Sequence, residues 1–413
     1  MATAKKAKNL KNLKNLKESK KSSNSGNKKK AAGLAKTASA KKAPAKQAPA
    51  KKATSANASK PVVLIMAGGK GERFWPRSTV STPKQLQKIY SNKTLLQETI
   101  DRARAFTSAD RIFIGCNPSL KKAIQKGHKI PDAQFVLEPE GRNTAPIIAL
   151  AALQLESRFP GSVQVILSAD HFIQPLDRFA ESMKAGMTLA QQDYLVTCGI
   201  VPTRPDPGYG YIQPRKSEVL KPAGWMIEQF HEKPDIEKAA GYVKDGFLWN
   251  SGIFLWKGSV ILEEFRKHAP EILQPLEKTY KSAAALKKVF PTLPEQPIDI
   301  AIMERSQRRA VVPASFQWDD VGSWLALERI RSESADADGN IFAGEKTQTA
   351  AFDARGNIIV PNSKRLIALL GVKDLVYVET DTSVLIATKE RLNDIKKLIA
   401  KLKEKPALQS FLQ

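Results

Sequence analysis

The residues that first suggest chemistry follow a short apolar run. They are Ala67-Gly68-Gly69-Lys70-Gly71-Glu72-Arg73 and, eleven residues past the arginine, Lys84 within Pro83-Lys84-Gln85. A glycine-rich turn leaving a strand lets backbone N–H groups come close to phosphate oxygens. The carboxyl end of a strand is also where α/β sheets bind ligands. Arg73 and Lys84 supply positive charge, and an arginine can grip two oxygens at once. The chemistry is therefore phosphate binding. Two familiar forms of it are excluded. A Gly-x-Gly-x-x-Gly pattern begun at Gly69 needs glycine at position 74, where Phe74 stands, and no Gly-Lys-Ser/Thr follows at the spacing of a P-loop.

What remains, Gly-Gly-x-Gly-x-Arg with a distal Pro-Lys, resembles the nucleotide signature of the sugar nucleotidyltransferases. Phe74-Trp75-Pro76 and Pro83-Lys84-Gln85 resemble the mannose-1-phosphate guanylyltransferase branch of that family. Later motifs arrive in the family's order, across most of residues 61–390. They are Glu138-Pro139 with Arg142-Asn143-Thr144-Ala145-Pro146; Ser168-Ala169-Asp170-His171; Gly208-Tyr209-Gly210-Tyr211-Ile212; Phe230-His231-Glu232-Lys233-Pro234; Trp249-Asn250-Ser251-Gly252-Ile253-Phe254; Ile298-Asp299 through Met303-Glu304; and Trp318-Asp319-Asp320-Val321-Gly322-Ser323-Trp324. One such motif is weak evidence; seven in sequence are not.

The resemblance implies a reaction: mannose 1-phosphate attacks the α-phosphorus of GTP and expels pyrophosphate. The attacking group is the substrate's own phosphate, so no protein nucleophile is needed. Catalysis reduces to positioning and electrostatic stabilisation of an in-line transfer. Gly68, Gly69, Gly71, Arg73 and Lys84 are expected at the triphosphate. Mg²⁺ is the expected cation, since it favours carboxylates and substrate phosphates over a closed protein cage. By resemblance Asp170 and Asp320 share it, with Asp319 the competing choice. Arg142, Asn143 and Thr144 are expected at the base or phosphates, a role compatible with capping the helix that follows. Tyr209, Gly210, Glu232, Lys233 and Asn250 are expected at the sugar phosphate. His171 reads as a supporting group beside Asp170. Guanine follows from the resemblance alone, because spacing does not separate guanine from uracil or thymine.

Some positions depart from the family pattern. Ser168 stands where proline is common before Ala-Asp-His, Thr79 where an arginine is common, Arg77 where an apolar residue is frequent, and Leu86 where an aromatic is. None removes a presumed catalytic group, but Thr79 bears on the triphosphate. The same phosphate-handling residues would serve a guanylyltransferase for another sugar 1-phosphate, such as a heptose. A reading of a different class is a non-catalytic sugar-nucleotide sensor with a basic nucleic-acid-binding tail. The presence of Asp170, Asp320, Arg73 and Lys84 together argues against it.

These residues need a scaffold to hold them. Val62–Ala67, Arg111–Cys116, Gln134–Leu137, Val163–Ser168 and Leu195–Gly199 read as strands, several of them apolar on both faces as buried parallel strands are. Ser119–Lys126 and Thr144–Arg158 read as helices between them, and Gly322–Ser332 as another after Asp320. Trp225–Phe230 and Gly252–Trp256 are further strand-like runs. The alternation predicts an α/β, Rossmann-like nucleotidyltransferase domain with a mainly parallel sheet over residues 61–333. From 334 to 413 the pattern changes to Asn340–Phe352, Asn357–Pro361, Leu366–Leu370, Leu375–Glu379 and Ser383–Thr388, short β runs separated by Asp-Gly-Asn and Arg-Gly-Asn turns. This predicts a small β-rich domain, β-helix-like by resemblance, with packing or homodimer formation as its role. It ends in a basic amphipathic helix over Lys389–Glu404. No isomerase domain of the kind longer relatives carry is expected.

The 413 residues carry a net charge of +25, unevenly placed. Residues 1–60 hold 18 lysines against one acid, Glu18, for +17, and the remainder only +8. This Lys/Ala-rich stretch, with Lys-Asn-Leu recurring at Lys8, Lys11 and Lys14, lacks the apolar surface to offset its ordering entropy and is expected to be disordered. It is a solvated extension or an arm for an anionic polymer or surface. Two cysteines, Cys116 and Cys198, lie in apolar runs and read as buried free thiols, which fits a reducing, cytoplasmic setting. No apolar run is long enough to span a membrane.

Overall fold

A computed structural model describes residues 60–69, 71–343 and 348–413. The tail expected over 1–60 therefore lies, apart from Lys60, outside the described residues, as does Lys70 of the signature.

The apolar run Val62–Met66 (β1) has alternate side chains on opposite sides of one sheet. Val62 and Leu64 join one core cluster, and Val63 and Ile65 the other. The same alternation recurs in Ile112–Cys116 (β2) and Val163–Ser168 (β4), so the sheet is covered on both faces. The sheet has nine strands in the order β3-β2-β1-β4-β9-β6-β10-β8-β7. The others are Phe135–Leu137 (β3), Leu195–Ile200 (β6), Tyr211–Leu220 (β7), Gly224–His231 (β8), Leu248–Lys257 (β9) and Arg309–Pro313 (β10). A separate short pair is formed by Phe172–Gln174 (β5) and Gln317–Asp319 (β11). In the large sheet β8 and β9 run against the other seven strands, so it is mainly parallel.

On one face, Thr144–Arg158 is buried almost all round and packs against the helices Gly258–His268 and Pro270–Thr279. On the other lie Leu95–Ala103, Pro118–Gly127 and Leu176–Ala190. Cys116 and Cys198 are buried free thiols, each pushed up to about 12 by burial.

The C-terminal region is a stack of parallel coils. Ile341–Phe342 (β12), Ile358–Val360 (β14) and Leu375–Glu379 (β16) form one parallel face, closed by antiparallel Val384–Thr388 (β17). Thr349–Phe352 (β13) and Ile367–Leu370 (β15) form another. The turns are bound by fully buried asparagines: Asn357 Nδ2 donates to Asn340 Oδ1 at 2.8 Å, and Asn357 Oδ1 accepts from Leu375 N at 2.9 Å. Buried amides satisfied in this way hold the coils in register.

Two expectations need correction. The helix expected over Gly322–Ser332 is confined to Ala326–Ile330. The one expected over Lys389–Glu404 is a 3-10 turn, Lys389–Asp394, followed by an α-helix, Ile395–Lys403. Across these two segments Leu392, Ile395 and Ile399 are buried, whereas Leu398 is 37% exposed. A third core cluster unites the regions: Ile395 and Ile399 pack in it with Phe74, Trp75, Trp324 and the coil residues Ile358 and Val376. Among the described residues no helix is long and apolar enough to cross a membrane.

Candidate active site

The signature begins where β1 ends. Ala67 N donates to Gly115 O at 2.8 Å, tying the loop's first residue to β2. Gln85 Nε2 donates to Gly68 O, so Pro83-Lys84-Gln85 folds back onto the glycines. Gly71 has φ +60°, and a Cβ there would lie 2.6 Å from both Lys84 Cβ and Ser78 Oγ. Only glycine permits that approach. Gly71 leads into the 3-10 turn Glu72–Phe74, and the Phe74 ring lies 4.9 Å from that of Trp324.

A cavity of about 530 Å³ opens here, lined by Gly68, Gly69, Gly71 and Arg73 together with Lys84, Asp170 and Asp320. The nucleotide residues expected from the first motif and the two expected metal carboxylates thus share one cavity. Lys84, only 7% exposed, donates from Nζ to Asp170 Oδ2 at 2.6 Å and to Asp320 O at 3.4 Å. Ser168 Oγ donates to Asp170 Oδ1 at 2.7 Å. Burial works to raise the Asp170 carboxyl, but Lys84, then His171 and the Ser168 hydrogen bond, outweigh it and hold the group below its ordinary range. His171 is pushed down to about 4 by burial and is a neutral imidazole. Its Nδ1 accepts from Trp318 Nε1 at 3.2 Å, which places its proton on Nε2.

Asp320 and Asp319 are separated by their partners. Asp319 is buried and held by Arg329, with Nη2 to Oδ1 at 3.0 Å, and accepts from Val321 N at 2.8 Å. Asp320 faces the cavity and accepts from Tyr209 OH at 2.9 Å and Gly322 N at 3.2 Å. The buried Val321 between them and Gly322 has φ +49°, a left-handed conformation costly for a β-branched residue and characteristic of functional sites. Tyr209 therefore acts on a carboxylate, and its ring lines a different cavity with Trp249 and Trp318.

A second cavity, of about 340 Å³, shares Gly68, Gly69, Ser168 and Asp170 with the first and continues to Glu138, Gly141, Asn143 and Thr144. Asn143 accepts from Thr144 N at 2.9 Å as the helix cap, and Thr144 Oγ1 accepts from Ile298 N at 2.8 Å. Arg142 pairs with Glu140 at 3.1 Å and is not among the residues lining this cavity. Glu138, in the Glu138-Pro139 motif, carries no role that its spacing implies. It is 8% exposed, and its Oε2 is buried with no hydrogen-bond partner among the described residues. Burial pushes its carboxyl up to about 7. An unpartnered buried oxygen at a cavity wall is a site waiting for a donor.

The expected sugar residues form a third group. Asn250 N donates to Gly210 O at 2.8 Å. A Cβ on Gly210 would lie 2.7 Å from Glu232 Oε2, so the glycine leaves room for the Glu232 carboxylate in this position. Asn250 Nδ2 donates to Asp299 Oδ1 at 2.6 Å, and Asn250 Oδ1 accepts from Thr197 Oγ1 at 3.2 Å. Asp299, another residue given no role from sequence, thereby orients the Asn250 amide. Burial pushes its carboxyl up to about 6. Lys233 turns back to Glu232 at 2.8 Å and is exposed.

Among the described residues no three His, Cys, Asp or Glu side chains form a metal cage. Two carboxylates beside a glycine-rich turn suit a hard divalent cation that takes its other oxygens from substrate and water. The donor set at Asp170 and Asp320 therefore fits such an ion.

An α/β sheet with a glycine-rich turn at the end of β1 and two carboxylates lining the same cavity defines a class. The chain belongs to the nucleotidyl transferase family, whose model matches residues 62–337. Residues 348–402 match the MannoseP isomerase/GMP-like beta-helix domain. Among its relatives is a mannose-1-phosphate guanylyltransferase of Escherichia coli K12. It is 37% identical over 367 residues, covering 84% of this chain and 74% of that protein. An alginate biosynthesis protein of Pseudomonas fluorescens is 33% identical, covering 83% and 72%. A solved structure of a mannose-1-phosphate geranyltransferase from Thermus thermophilus matches with a TM-score of 0.76 at 31% identity, covering 83% of this chain and 99% of that one. Nucleotidyl transferases typically work with a divalent metal.

Proposed function

We propose that the chain transfers GMP from GTP to mannose 1-phosphate, giving GDP-mannose and pyrophosphate, with Mg²⁺ as its metal. The observation that carries this is the shared cavity, where Arg73, Lys84 and the glycine turn meet Asp170 and Asp320. The similar proteins that bear this activity in their names support the choice of substrates.

A non-bridging oxygen of the sugar phosphate attacks the α-phosphorus. The bond to the bridging oxygen of the β-phosphate breaks, and pyrophosphate leaves with that electron pair. The attacking oxygen is already ionised, so no general base is required, in keeping with a neutral His171. Mg²⁺ held by Asp170 and Asp320 would screen the negative charge of the two phosphates. Arg73, Lys84 and the glycine N–H groups hold the triphosphate in line. Glu138 is the group we assign to guanine, whose ring N–H and amino group are adjacent donors that a carboxylate accepts together. Asn250, oriented by Asp299, and Glu232 bind sugar hydroxyls.

The test is pyrophosphate release with Mg²⁺ across GTP, UTP, dTTP and ATP, each against mannose 1-phosphate and glucose 1-phosphate. GTP with mannose 1-phosphate is expected to be the best pair. A better rate with any other pair would overturn the substrate assignment.

We also propose a homodimer through the coil region. Phe352 and Leu370 are 75% and 74% exposed on the β13–β15 pair, with Leu366 and Ile386 also exposed. An exposed apolar β surface invites a second copy of itself. Sedimentation should give a dimer for the wild type and a monomer for Phe352→Glu/Leu370→Glu. A monomeric wild type rejects the idea. The buried thiols fit a reducing compartment, which we take to be the cytoplasm.

A further inference from the structure

We propose that Lys396, carried by the C-terminal coil domain, completes the triphosphate site and holds the phosphates that depart as pyrophosphate. The inference rests on the nucleotidyl-transfer reading above and adds to it a substrate-binding residue from outside the sheet domain.

The helix Ile395–Lys403 is fixed against the phosphate turn. Ile395 and Ile399 are 3% and 4% exposed and pack in the cluster that holds Phe74 and Trp75. Lys403 Nζ lies 3.5 Å from Glu72 Oε1. Beyond the helix, Phe411 O accepts from Trp75 Nε1 at 3.1 Å and Leu412 O accepts from Val80 N at 3.3 Å. These ties join the C-terminal helix and the residues after it to segment 72–80. Helices advance about 100° per residue. With Ile395 and Ile399 forming the buried seam, Lys396 is turned one step round the helix, onto the wall of the 530 Å³ cavity.

Charge gives that position its meaning. The described cations lining the cavity are Arg73, Lys84 and Lys396. Lys84 is already engaged by Asp170 at 2.6 Å. Two other lysines on the helix of Lys396 are likewise engaged, Lys397 with Asp394 and Lys403 with Glu72. Lys396 makes no hydrogen bond or ion pair among the described residues. Thr79 carries no charge, and its hydroxyl is bound to Ser81 and Thr82 where it lines another cavity. Glu72, which also lines the cavity, is paired with Lys403. A triphosphate is highly anionic, and Arg73 together with a Lys84 already engaged by Asp170 leaves part of it unmatched. An ammonium on a flexible stem suits a mobile leaving group.

Position assigns the phosphates. The cavity containing Glu138 meets the phosphate cavity through Gly68, Gly69, Ser168 and Asp170, and it contains neither Arg73 nor Lys396. Lys396 thus lies on the side away from the base, where the β- and γ-phosphates extend from an α-phosphate held near Asp170.

The experiment uses the full chain with Lys396→Ala, Lys396→Arg and Lys396→Glu. Rates are measured forward with varied GTP and in reverse with varied pyrophosphate on GDP-mannose. Lys396→Ala should raise KM for GTP and for pyrophosphate about tenfold, as expected of one charge-assisted hydrogen bond from an exposed lysine. Lys396→Glu should do worse, and Lys396→Arg should recover most of the loss. KM for mannose 1-phosphate should stay within about twofold, and the effect should shrink with added salt. Wild-type KM values for GTP and pyrophosphate in the Ala and Glu variants would overturn the proposal, as would an equal rise for the sugar phosphate. Calorimetric binding of inorganic pyrophosphate to wild type and Lys396→Ala separates the two readings. A wild type that turns over no GTP defeats the proposed function, whereas equal pyrophosphate binding by both proteins defeats the role of Lys396.

Discussion

Asp170→Asn is expected to lower kcat for pyrophosphate release about a thousandfold, the scale of removing one dominant electrostatic group from a preorganised site. Asparagine has the same shape and keeps an oxygen for the Ser168 hydroxyl, which now sits 2.7 Å from the carboxylate. It loses the charge on which two other things depend. One is Lys84, whose ammonium is nearly buried and whose shortest hydrogen bond is the 2.6 Å one to Asp170. The other is the divalent cation, which a neutral amide holds poorly. The loss should therefore come with a higher metal concentration for half-activation, and Asp320→Asn should behave alike. Asp319→Asn should differ: its carboxylate is bound to Arg329 and the Val321 amide, so its defect should appear as lowered thermal stability. The sign of the pH dependence follows from the depressed Asp170 carboxyl. The ionised form persists until pH falls through that lowered value, so Asp170 should not limit activity near neutrality. An Asp170→Asn enzyme within tenfold of wild-type kcat would remove Asp170 from the metal site.

Residues differ in how openly they announced themselves. The strands from Val62 to Ser168 are apolar on both faces, and burial on both sides of a parallel sheet writes that pattern directly into sequence. Tyr211–Leu220 carries Gln213, Pro214, Arg215 and Lys216, because an antiparallel strand at the sheet's edge with register shifts needs no such pattern. Arg309–Pro313 is five residues long and begins in arginine, so its place beside β6 is set by tertiary pairing. The break between Lys389–Asp394 and Ile395–Lys403 was equally hidden, since the apolar spacing runs through both.

The site divides along similar lines. Arg73, Lys84, Asp170 and Asp320 were visible because their motifs are local. Val321 at φ +49° was not, since the surrounding packing imposes it. Asp299 needed Asn250 opposite it, and Glu138 needed burial. A lone carboxylate before a proline means little until its oxygen is found without a partner.

Glu138→Gln should therefore lower kcat/KM for GTP about a hundredfold, the loss of a charge-assisted acceptor that meets two donors. Glutamine presents one acceptor and one donor, which mismatches guanine's paired donors but suits uracil's adjacent N–H and carbonyl. Selectivity should shift toward UTP even though the best rate falls. Wild-type enzyme should show a matching pH signature. Burial has pushed the carboxyl up to about 7, so below that pH the free enzyme increasingly carries a protonated group that cannot accept from both donors. Its kcat/KM for GTP should fall about tenfold per pH unit on the acid side, while kcat at saturating GTP changes less, because bound guanine favours the ionised form. In Glu138→Gln that acid limb should disappear. If the variant keeps wild-type preference for GTP and the same acid limb, guanine is read elsewhere. The unpartnered oxygen beside Asn143 and Thr144 would then be a structural cost without a functional return.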